Sequence, residues 1–193
     1  MKVTILDYGA GNIQSVQFAL ARLGVNAILS SDKEQILSSD KIIFPGVGHA
    51  GEAMKQLNAT GLAHLIPNLK QDVLGICLGM QLLCNSTEEG ETKGLGVFDV
   101  DVKRFTNAVK VPHMGWNCIE DLKSDLFKGL NSNPYMYSVH SYYAPKVEQT
   151  IASSTYELPF SAALQHKNFY GVQFHPEKSS TDGAQILTNF LNL

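Results

Sequence analysis

Residues 75–79 (GICLG) join two segments of opposite secondary-structure character. The residues that lead into them, 73–77 (VLGIC), are apolar and typical of a buried strand, whereas residues 78–84 have the composition of a helix. The two glycines allow the backbone to turn sharply without a side-chain clash. This is the G-x-nucleophile-x-G elbow, with Cys77 in the place of the usual serine. The fold around it must therefore carry a buried strand directly into a helix.

Strand and helix signals alternate through the first half of the chain. Helical spacing is clearest in residues 13–23, where four apolar side chains fall on one face before Gly24. Such alternation indicates βαβ units and a parallel sheet covered by helices on both faces. The predicted strands are residues 3–7, 25–30, 41–44 and 73–77, and the predicted helices are residues 13–23, 32–39, 50–69 (with breaks near 60–61 and 67) and 78–84.

The second half is rich in β-branched and aromatic residues, which favour strands. We expect a hairpin turn at residues 166–168 and a final helix at residues 181–191. The chain has 193 residues and shows no repeat or linker, so we expect one α/β domain spanning residues 1–193 with a mixed, mostly parallel central sheet. The strand-like stretches are residues 95–105, 108–119, 135–144 and 160–174.

Composition and charge exclude several classes of protein. Hydrophobic residues are 44% and charged residues 17%, which rules out a disordered or coiled-coil chain. The formal net charge of −3 offers no basic surface for nucleic acid. No apolar run approaches the ~18 residues of a membrane span, and residues 1–8 lack the long apolar core of a signal peptide. We therefore expect a cytoplasmic protein with no nucleic-acid or membrane partner.

The chain contains three cysteines and no C-x-x-C pair, which argues against a disulfide framework or a cysteine-rich zinc site. Cys77 differs from the others because the elbow sets its sulfur at the start of a helix, where a thiolate is favoured. The competing interpretation is that Cys77 is a small buried residue between two packing glycines. Cys84 and Cys118 have no such context, and we expect both to be structural.

A cysteine nucleophile needs a base and a group that orients the base. His175 ends an apolar strand-like run, and extended residues i and i+2 point to the same side, so Glu177 can lie beside it. A carboxylate there fixes the imidazole tautomer and supports the imidazolium. The alternative is an ordinary surface His–Glu pair at a strand end. No histidine pair has metal-binding spacing, so we expect no metal.

The loop of residues 45–48 (PGVG) follows the third predicted strand and is a candidate oxyanion loop. In elbow hydrolases one backbone N–H comes from the residue after the nucleophile, here Leu78, and another from a neighbouring strand-end loop, here Gly48. The alternative is a simple strand-to-helix turn. Residues 9–11 (GAG) lack the third glycine of a dinucleotide fingerprint, because Gln14 stands there, so we expect no nucleotide cofactor.

Together these motifs resemble class I, triad-type glutamine amidotransferases, which have a flavodoxin-like fold. The resemblance rests on residues 75–81 (GICLGMQ) and 173–177 (QFHPE). Residues 7–12 (DYGAGN), 45–49 (PGVGH), 113–117 (HMGWN) and 139–142 (VHSY) narrow it to the glutaminase subunits of imidazole glycerol phosphate synthases. Phe98 and Asp99 depart from the family's usual Pro-Gly, which implies a different local loop or partner contact.

The resemblance implies a role for each matching residue. Cys77 corresponds to the nucleophile, His175 to the general base and acid, and Glu177 to the residue that orients His175. Gly48 and Leu78 correspond to the oxyanion donors. The matching glutamine-binding residues are Gly46, Gln81, Ser141 and Tyr142, and the matching partner-facing residues are Asn12, His49, Trp116, Tyr137 and Lys178.

The resemblance also implies a partner, a (β/α)8-barrel cyclase subunit of the HisF type that forms a heterodimer with the glutaminase and receives its ammonia. Such a cyclase converts PRFAR into imidazole glycerol phosphate and AICAR. Two other functions stay open. The same glutaminase can supply a different synthase, such as an amidating enzyme of surface-polysaccharide synthesis. The chain can also be a stand-alone cysteine hydrolase or a binding module without activity.

Overall fold

A computed structural model describes residues 1–9 and 12–193 of the chain. Ala10 and Gly11, which belong to the predicted glycine turn after the first strand, lie outside the described residues. The α-helices are α1 (Ile13–Arg22), α2 (Lys33–Leu37), α3 (Ala50–Ala59), α4 (Leu62–Leu65), α5 (Leu78–Leu83) and α6 (Ser180–Leu191). The strands are β1 (Val3–Leu6), β2 (Ile28–Ser30), β3 (Lys41–Gly46), β4 (Asp72–Cys77), β5 (Cys84–Thr87), β6 (Thr92–Lys93), β7 (Phe98–Arg104), β8 (His113–Cys118), β9 (Tyr135–His140), β10 (Tyr142–Tyr143), β11 (Thr150–Thr155), β12 (Pro159–His166) and β13 (Phe169–Val172).

In the described part of the chain the central sheet has seven strands in the order β11-β12-β13-β4-β3-β1-β2. The pairings among β2, β1, β3, β4 and β13 are parallel, and β11 and β12 continue the sheet antiparallel. The carboxyl ends of β3 and β4 therefore lie side by side, with Gly46 paired to Cys77. The predicted mixed, mostly parallel sheet is confirmed.

Two apolar cores lie on opposite faces of this sheet, because consecutive strand residues point to opposite sides. In β3, Ile43 packs into the core that includes Val16 of α1 and Ile186 of α6. Its neighbours Ile42 and Phe44 pack into the other core, with α3, α4 and α5. Helices thus cover both faces, as the alternation of elements predicted.

A smaller sheet in the order β10-β7-β5-β6 and an antiparallel β8–β9 ribbon flank the central sheet. The ribbon is attached to the segment after β13, because the His175 N–H donates to the Tyr137 carbonyl at 2.8 Å. This bond links a strand of the ribbon directly to the candidate base.

The break predicted near residues 60–61 is confirmed, because Gly61, with a φ of 74°, ends one helix before the next begins. Other predicted boundaries were wrong. The helix predicted over residues 78–84 ends one residue earlier, because Cys84 begins β5. Cys84 is fully buried. Strand β11 was missed, and the second strand is only three residues long. Phe98, one of the residues that depart from the family pattern, is buried at the start of β7.

The elbow glycines are needed because β3 and β4 pack closely against the start of α5. A Cβ atom on Gly79 would overlap the backbone carbonyl oxygen of Phe44. A Cβ atom on Gly46 would lie 2.6 Å from the Gly79 nitrogen and 2.8 Å from the Leu78 Cβ. Both glycines therefore permit a backbone approach that no other residue allows.

We expect Gly79→Ala to lower the free energy of unfolding by about 1–3 kcal/mol, the usual cost of forcing extra atoms into a packed interior. Gly51→Ala is a matched control, because its added carbon meets the end of the His49 side chain at 3.2 Å. Urea unfolding of both variants checks this. Equal midpoints for Gly79→Ala and Gly51→Ala would contradict the close packing of the elbow.

Candidate active site

Cys77 ends β4 and stands immediately before α5, where its backbone adopts φ 53° and ψ −110°. A positive φ is costly for a residue with a side chain and is retained where the surroundings enforce it, often at functional sites. The Cys77 side chain lines a cavity of about 320 Å³. A strained, cavity-lining cysteine fits the elbow interpretation better than that of a simple packing residue.

His175 and Glu177 lie together after β13 as expected, but a 3-10 turn brings them together rather than the extended backbone on which the expectation rested. Glu177 lies in a short 3-10 turn, Pro176–Lys178, and its Oε1 is 2.8 Å from Nδ1 of His175. Both side chains are almost completely buried. Because a carboxylate oxygen accepts, Nδ1 carries the proton and Nε2 is the nitrogen left for the chemistry.

The His175 imidazole is held in its charged form. Burial disfavours the charge, but hydrogen bonds with Cys77 and Glu177 and the negative charges of both groups outweigh it and raise the pKa of His175 to about 10. A protonated imidazole beside the sulfur favours the thiolate, which is the nucleophilic form of cysteine. The site therefore places a proton donor beside the cysteine nucleophile at neutral pH.

This raised pKa predicts the alkaline limit of activity. The imidazolium persists until the pH nears the His175 pKa of about 10, so kcat/KM should stay level through neutral pH and fall near that value. Glu177→Gln removes a negative charge that raises the pKa of His175, so the lowering of this pKa by burial is opposed less strongly. The decrease in kcat/KM should then occur at lower pH. A pH–rate series on both proteins measures the shift. An unchanged alkaline limb in Glu177→Gln would show that Glu177 does not support the imidazolium.

The cavity gathers most of the other predicted site residues. Gly48 has a φ of 96°, with open space where a Cβ would lie, so its peptide can adopt orientations that other residues resist. Gly46 does not appear in the cavity wall, since it packs beneath the elbow. The predicted residues in the wall are Gly48, Cys77, Leu78, Gln81, Ser141, Tyr142, His175 and Lys178.

Two polar residues of this region were missed by the sequence analysis. Glu89 lines the cavity, and its Oε2 accepts the Ala50 N–H at 2.8 Å. No sequence signal marked Glu89, because it lies in a polar segment without a recognisable motif, twelve residues after Cys77. Gln173 donates from Nε2 to the Cys77 sulfur at 3.8 Å. Its position two residues before His175 was a usable signal, since residues i and i+2 of a strand share a side.

Of the five predicted partner-facing residues only Lys178 lines the cavity, and the five differ in exposure. Trp116 is 52% exposed, His49 and Lys178 are exposed, and Asn12 and Tyr137 are half-buried. The Trp116 and Tyr137 rings meet edge to face, with centroids 6.1 Å apart. His49 also caps α3, because its Nδ1 accepts the Gly51 N–H at 3.1 Å.

Residues 1–9 and 12–193 contain neither a metal-binding cluster nor a membrane-spanning helix. That part of the chain contains no cluster of three or more histidine, cysteine or acidic side chains able to hold a metal ion. Among its helices, none combines the length and apolar character needed to cross a membrane.

The fold and the site define a class of protein. Residues 4–193 match the model of the family described as glutamine amidotransferase class-I, so the chain belongs to that family. A solved glutamine amidotransferase superposes with a TM-score of 0.78 at 20% identity, covering 100% of this chain and 98% of the other. A glutamine amidotransferase from Thermotoga maritima gives 0.61 at 18% identity, with 100% and 83% coverage. These two likenesses concern the fold alone.

Sequence relatives narrow the class. The chain is 56% identical to the imidazole glycerol phosphate synthase subunit HisH of Bacteroides fragilis over 100% of both chains. It is 47% identical to the HisH subunit of Yersinia pseudotuberculosis, again over 100% of both. Identities of this size over the full length assign the chain to the HisH group of the class-I family.

Proposed function

We propose that this chain is the glutaminase subunit of an imidazole glycerol phosphate synthase in histidine biosynthesis. It hydrolyses glutamine to glutamate and ammonia and passes the ammonia to a synthase partner. The observation that carries the chemistry is Cys77 on a strained elbow, in one cavity with His175 and its partner Glu177. The free thiol must stay reduced to react, which fits a cytosolic enzyme.

The reaction follows from these three groups. The Cys77 thiolate attacks the side-chain amide carbon of glutamine, and the C–N bond breaks as His175 donates its proton to the departing nitrogen. Ammonia leaves, and a glutamyl thioester remains on the sulfur. Neutral His175 then takes a proton from water, the oxygen attacks the thioester carbon, and the C–S bond breaks with its electron pair returning to sulfur.

The negative oxygen formed in each attack needs donors. We assign this role to the backbone N–H groups of Leu78 and Gly48, both of which line the cavity. Leu78 begins α5, so its N–H has no acceptor within the helix. The peptide between Val47 and Gly48 can rotate at low steric cost, because nothing lies within 4 Å of a Cβ built on Gly48. Its orientation can therefore switch the oxyanion hole on or off.

The amino-acid end of glutamine needs both polar and charged contacts. We assign Gln81, Ser141 and Tyr142 to substrate binding, since all three line the cavity. The Glu89 carboxylate adds a negative charge suited to the α-ammonium group. Gly46 contributes by holding the elbow in place rather than by lining the cavity.

The partner we propose is a (β/α)8-barrel cyclase of the HisF type, which turns PRFAR and ammonia into imidazole glycerol phosphate and AICAR. An exposed apolar surface on the β8–β9 ribbon supports a docked partner. It comprises Met114, Trp116 and Tyr135, which are 63%, 52% and 59% exposed. Asn12, His49, Tyr137 and Lys178 complete the proposed interface.

The ribbon also gives the partner a route to the catalytic groups. The His175 N–H donates to the Tyr137 carbonyl, and the Tyr137 N–H donates to the Ser179 hydroxyl oxygen at 2.9 Å. Ser179 in turn donates to the His175 carbonyl at 2.7 Å. A partner that moves Tyr137 therefore acts on the backbone of the base.

We expect the isolated chain to hydrolyse glutamine slowly, and the barrel subunit with its ligand to raise kcat at least about 10²-fold, the worth of one oxyanion donor. Trp116→Ala should reduce this activation and leave the rate of Cys77 alkylation unchanged. Phe18→Ala is a matched control, because Phe18 is a 60% exposed aromatic residue on α1. Full activity of the purified chain alone would contradict gating by a partner.

Amide-¹⁵N glutamine tests the synthase assignment. With the barrel cyclase and PRFAR present, the label should enter the imidazole ring of the product in preference to unlabelled ammonia from the medium. Turnover that is indifferent to the cyclase, or activation only by a different amidating enzyme, would contradict the histidine-pathway assignment and favour one of the two alternatives.

A further inference from the structure

A single backbone carbonyl orients a chain of buried polar side chains beside the cavity. The Tyr142 carbonyl oxygen lies 2.8 Å from His140 Nδ1 and 3.0 Å from Gln81 Nε2. A carbonyl oxygen can only accept, so both nitrogens must carry hydrogen and donate. This fixes the tautomer of His140 and the direction of the Gln81 amide.

In the direction of the elbow, this series of hydrogen bonds ends at the Cys77 sulfur. The Gln81 amide nitrogen also lies 2.8 Å from Gln173 Oε1 and donates its second hydrogen to that oxygen. The Gln173 oxygen is therefore engaged, and its NH₂ group must be the end that faces Cys77, at 3.8 Å from the sulfur. Gln81 and Gln173 are only 4% and 1% exposed, so water does not compete for these bonds.

In the opposite direction, the series of hydrogen bonds ends in two histidines, His140 and His113. Since His140 donates from Nδ1, its Nε2 must accept, and His113 Nδ1 lies 3.1 Å from it as the donor. Burial lowers the pKa of His140 to about 3, so the ring stays neutral and keeps this tautomer. His113 is held by stacking on Tyr156, with ring centroids 4.0 Å apart.

The Gln173 donor acts differently on the two states of the sulfur. As a neutral thiol, Cys77 donates to the Val139 carbonyl at 3.7 Å. As a thiolate it can no longer donate, and a hydrogen bond from Gln173 to the anion becomes stronger than one to the thiol. The Gln173 donor therefore favours the anionic sulfur, whereas the Val139 carbonyl favours the thiol.

We propose that Gln173 is a further catalytic residue, which donates to the Cys77 sulfur as a thiolate before attack and again when the thioester C–S bond breaks. Gln81, the Tyr142 carbonyl, His140 and His113 are the positioning chain that keeps this donor aimed. The inference deepens the proposed function and rests on Cys77 as its nucleophile.

Two substitutions of Gln173 separate a donor from a packing residue. Gln173→Met keeps the size of the side chain and removes the donor, so iodoacetamide should alkylate Cys77 about 10- to 100-fold more slowly at neutral pH, the worth of a hydrogen bond to a charged group. Gln173→Glu can still accept from Gln81 but presents an oxygen to the sulfur, so alkylation should be slower still. A residue that only packs would show the opposite order or no loss.

Gln165→Met is the matched control, because Gln165 is a half-buried amide of β12 that bonds to Ser124 and Tyr170 away from the cavity. Its alkylation rate should equal that of the wild type. Wild-type rates in both Gln173 variants, or equal losses in all three, would overturn the assignment.

A measurement on the unsubstituted chain avoids dependence on the folding of the variants. The side-chain ¹⁵N–H signals of Gln173 should shift when Cys77 is blocked by a small disulfide-forming reagent, while those of Gln165 should not. Unshifted Gln173 signals would overturn the inference. A failure of Cys77 to be labelled by glutamine analogues would instead refute the proposed function, so the two failures are distinguishable.

Discussion

Cys77→Ser should lower glutamine hydrolysis at least about 10⁴-fold in the partner-activated enzyme, since loss of a nucleophile in comparable enzymes costs up to about 10⁶-fold. The hydroxyl of serine is far less ionised than a thiol at neutral pH, and the imidazolium of His175 cannot make it a comparable nucleophile. Ammonia release measured at saturating glutamine checks this. The ammonia-dependent reaction of the proposed cyclase partner should persist, because it needs no glutaminase.

A chloroketone analogue of glutamine supplies the control for this prediction. It should modify Cys77 and spare Cys84 and Cys118. Burial raises the pKa of the Cys84 thiol, and burial together with Glu120 raises that of Cys118, so neither forms a thiolate readily. Peptide mass mapping that finds equal labelling of all three cysteines would refute Cys77 as a uniquely activated residue.

His175→Ala should lower kcat by about 10²- to 10⁴-fold, the usual contribution of a general acid–base. The variant loses both the proton donor for the departing nitrogen and the base that activates water. Glu177→Gln should cost less, because it disturbs the orientation and charge of His175 but leaves the ring in place. Steady-state kinetics of the two variants, with the partner present, measure the difference.

His140 is the nearest alternative base, and the structure argues against it. Its Nδ1 donates to the Tyr142 carbonyl, its Nε2 faces His113, and burial lowers its pKa to about 3. If a His175→Ala variant nevertheless kept wild-type activity, the general base would have to be His140 or another group.

The sequence predicted the parts of this molecule that short-range geometry determines. The elbow, the pairing of His175 with Glu177 and the alternation that builds the parallel sheet each depend on residues close together in sequence. The β12–β13 turn is of the same kind, with Lys167 at a φ of 54° between the two strands. Local steric rules suffice for all four.

The features that the sequence did not predict depend on contacts between segments that are distant in sequence. Glu89 reaches the cavity because its carboxylate accepts the Ala50 N–H, a bond between residues 39 positions apart. Gln173 and Gln81 meet across 92 positions, and their amide directions follow from a carbonyl on a third segment. The spacing of Gln173 and His175 was a usable signal, but no periodicity or motif encodes the contact of Gln173 with Gln81, which arises only when the sheets assemble. Strand β11 was not predicted for a similar reason, since its polar residues become buried only through pairing with β12.

The central claim is that glutamine hydrolysis passes through a thioester on Cys77. The most direct measurement mixes the partner-activated enzyme with glutamine, quenches in acid during turnover, and maps the peptides by mass spectrometry. The account predicts one glutamyl group on the Cys77 peptide, removed by hydroxylamine as a thioester should be. Steady turnover with an unmodified Cys77 peptide, or with the glutamyl group on another residue, would contradict it.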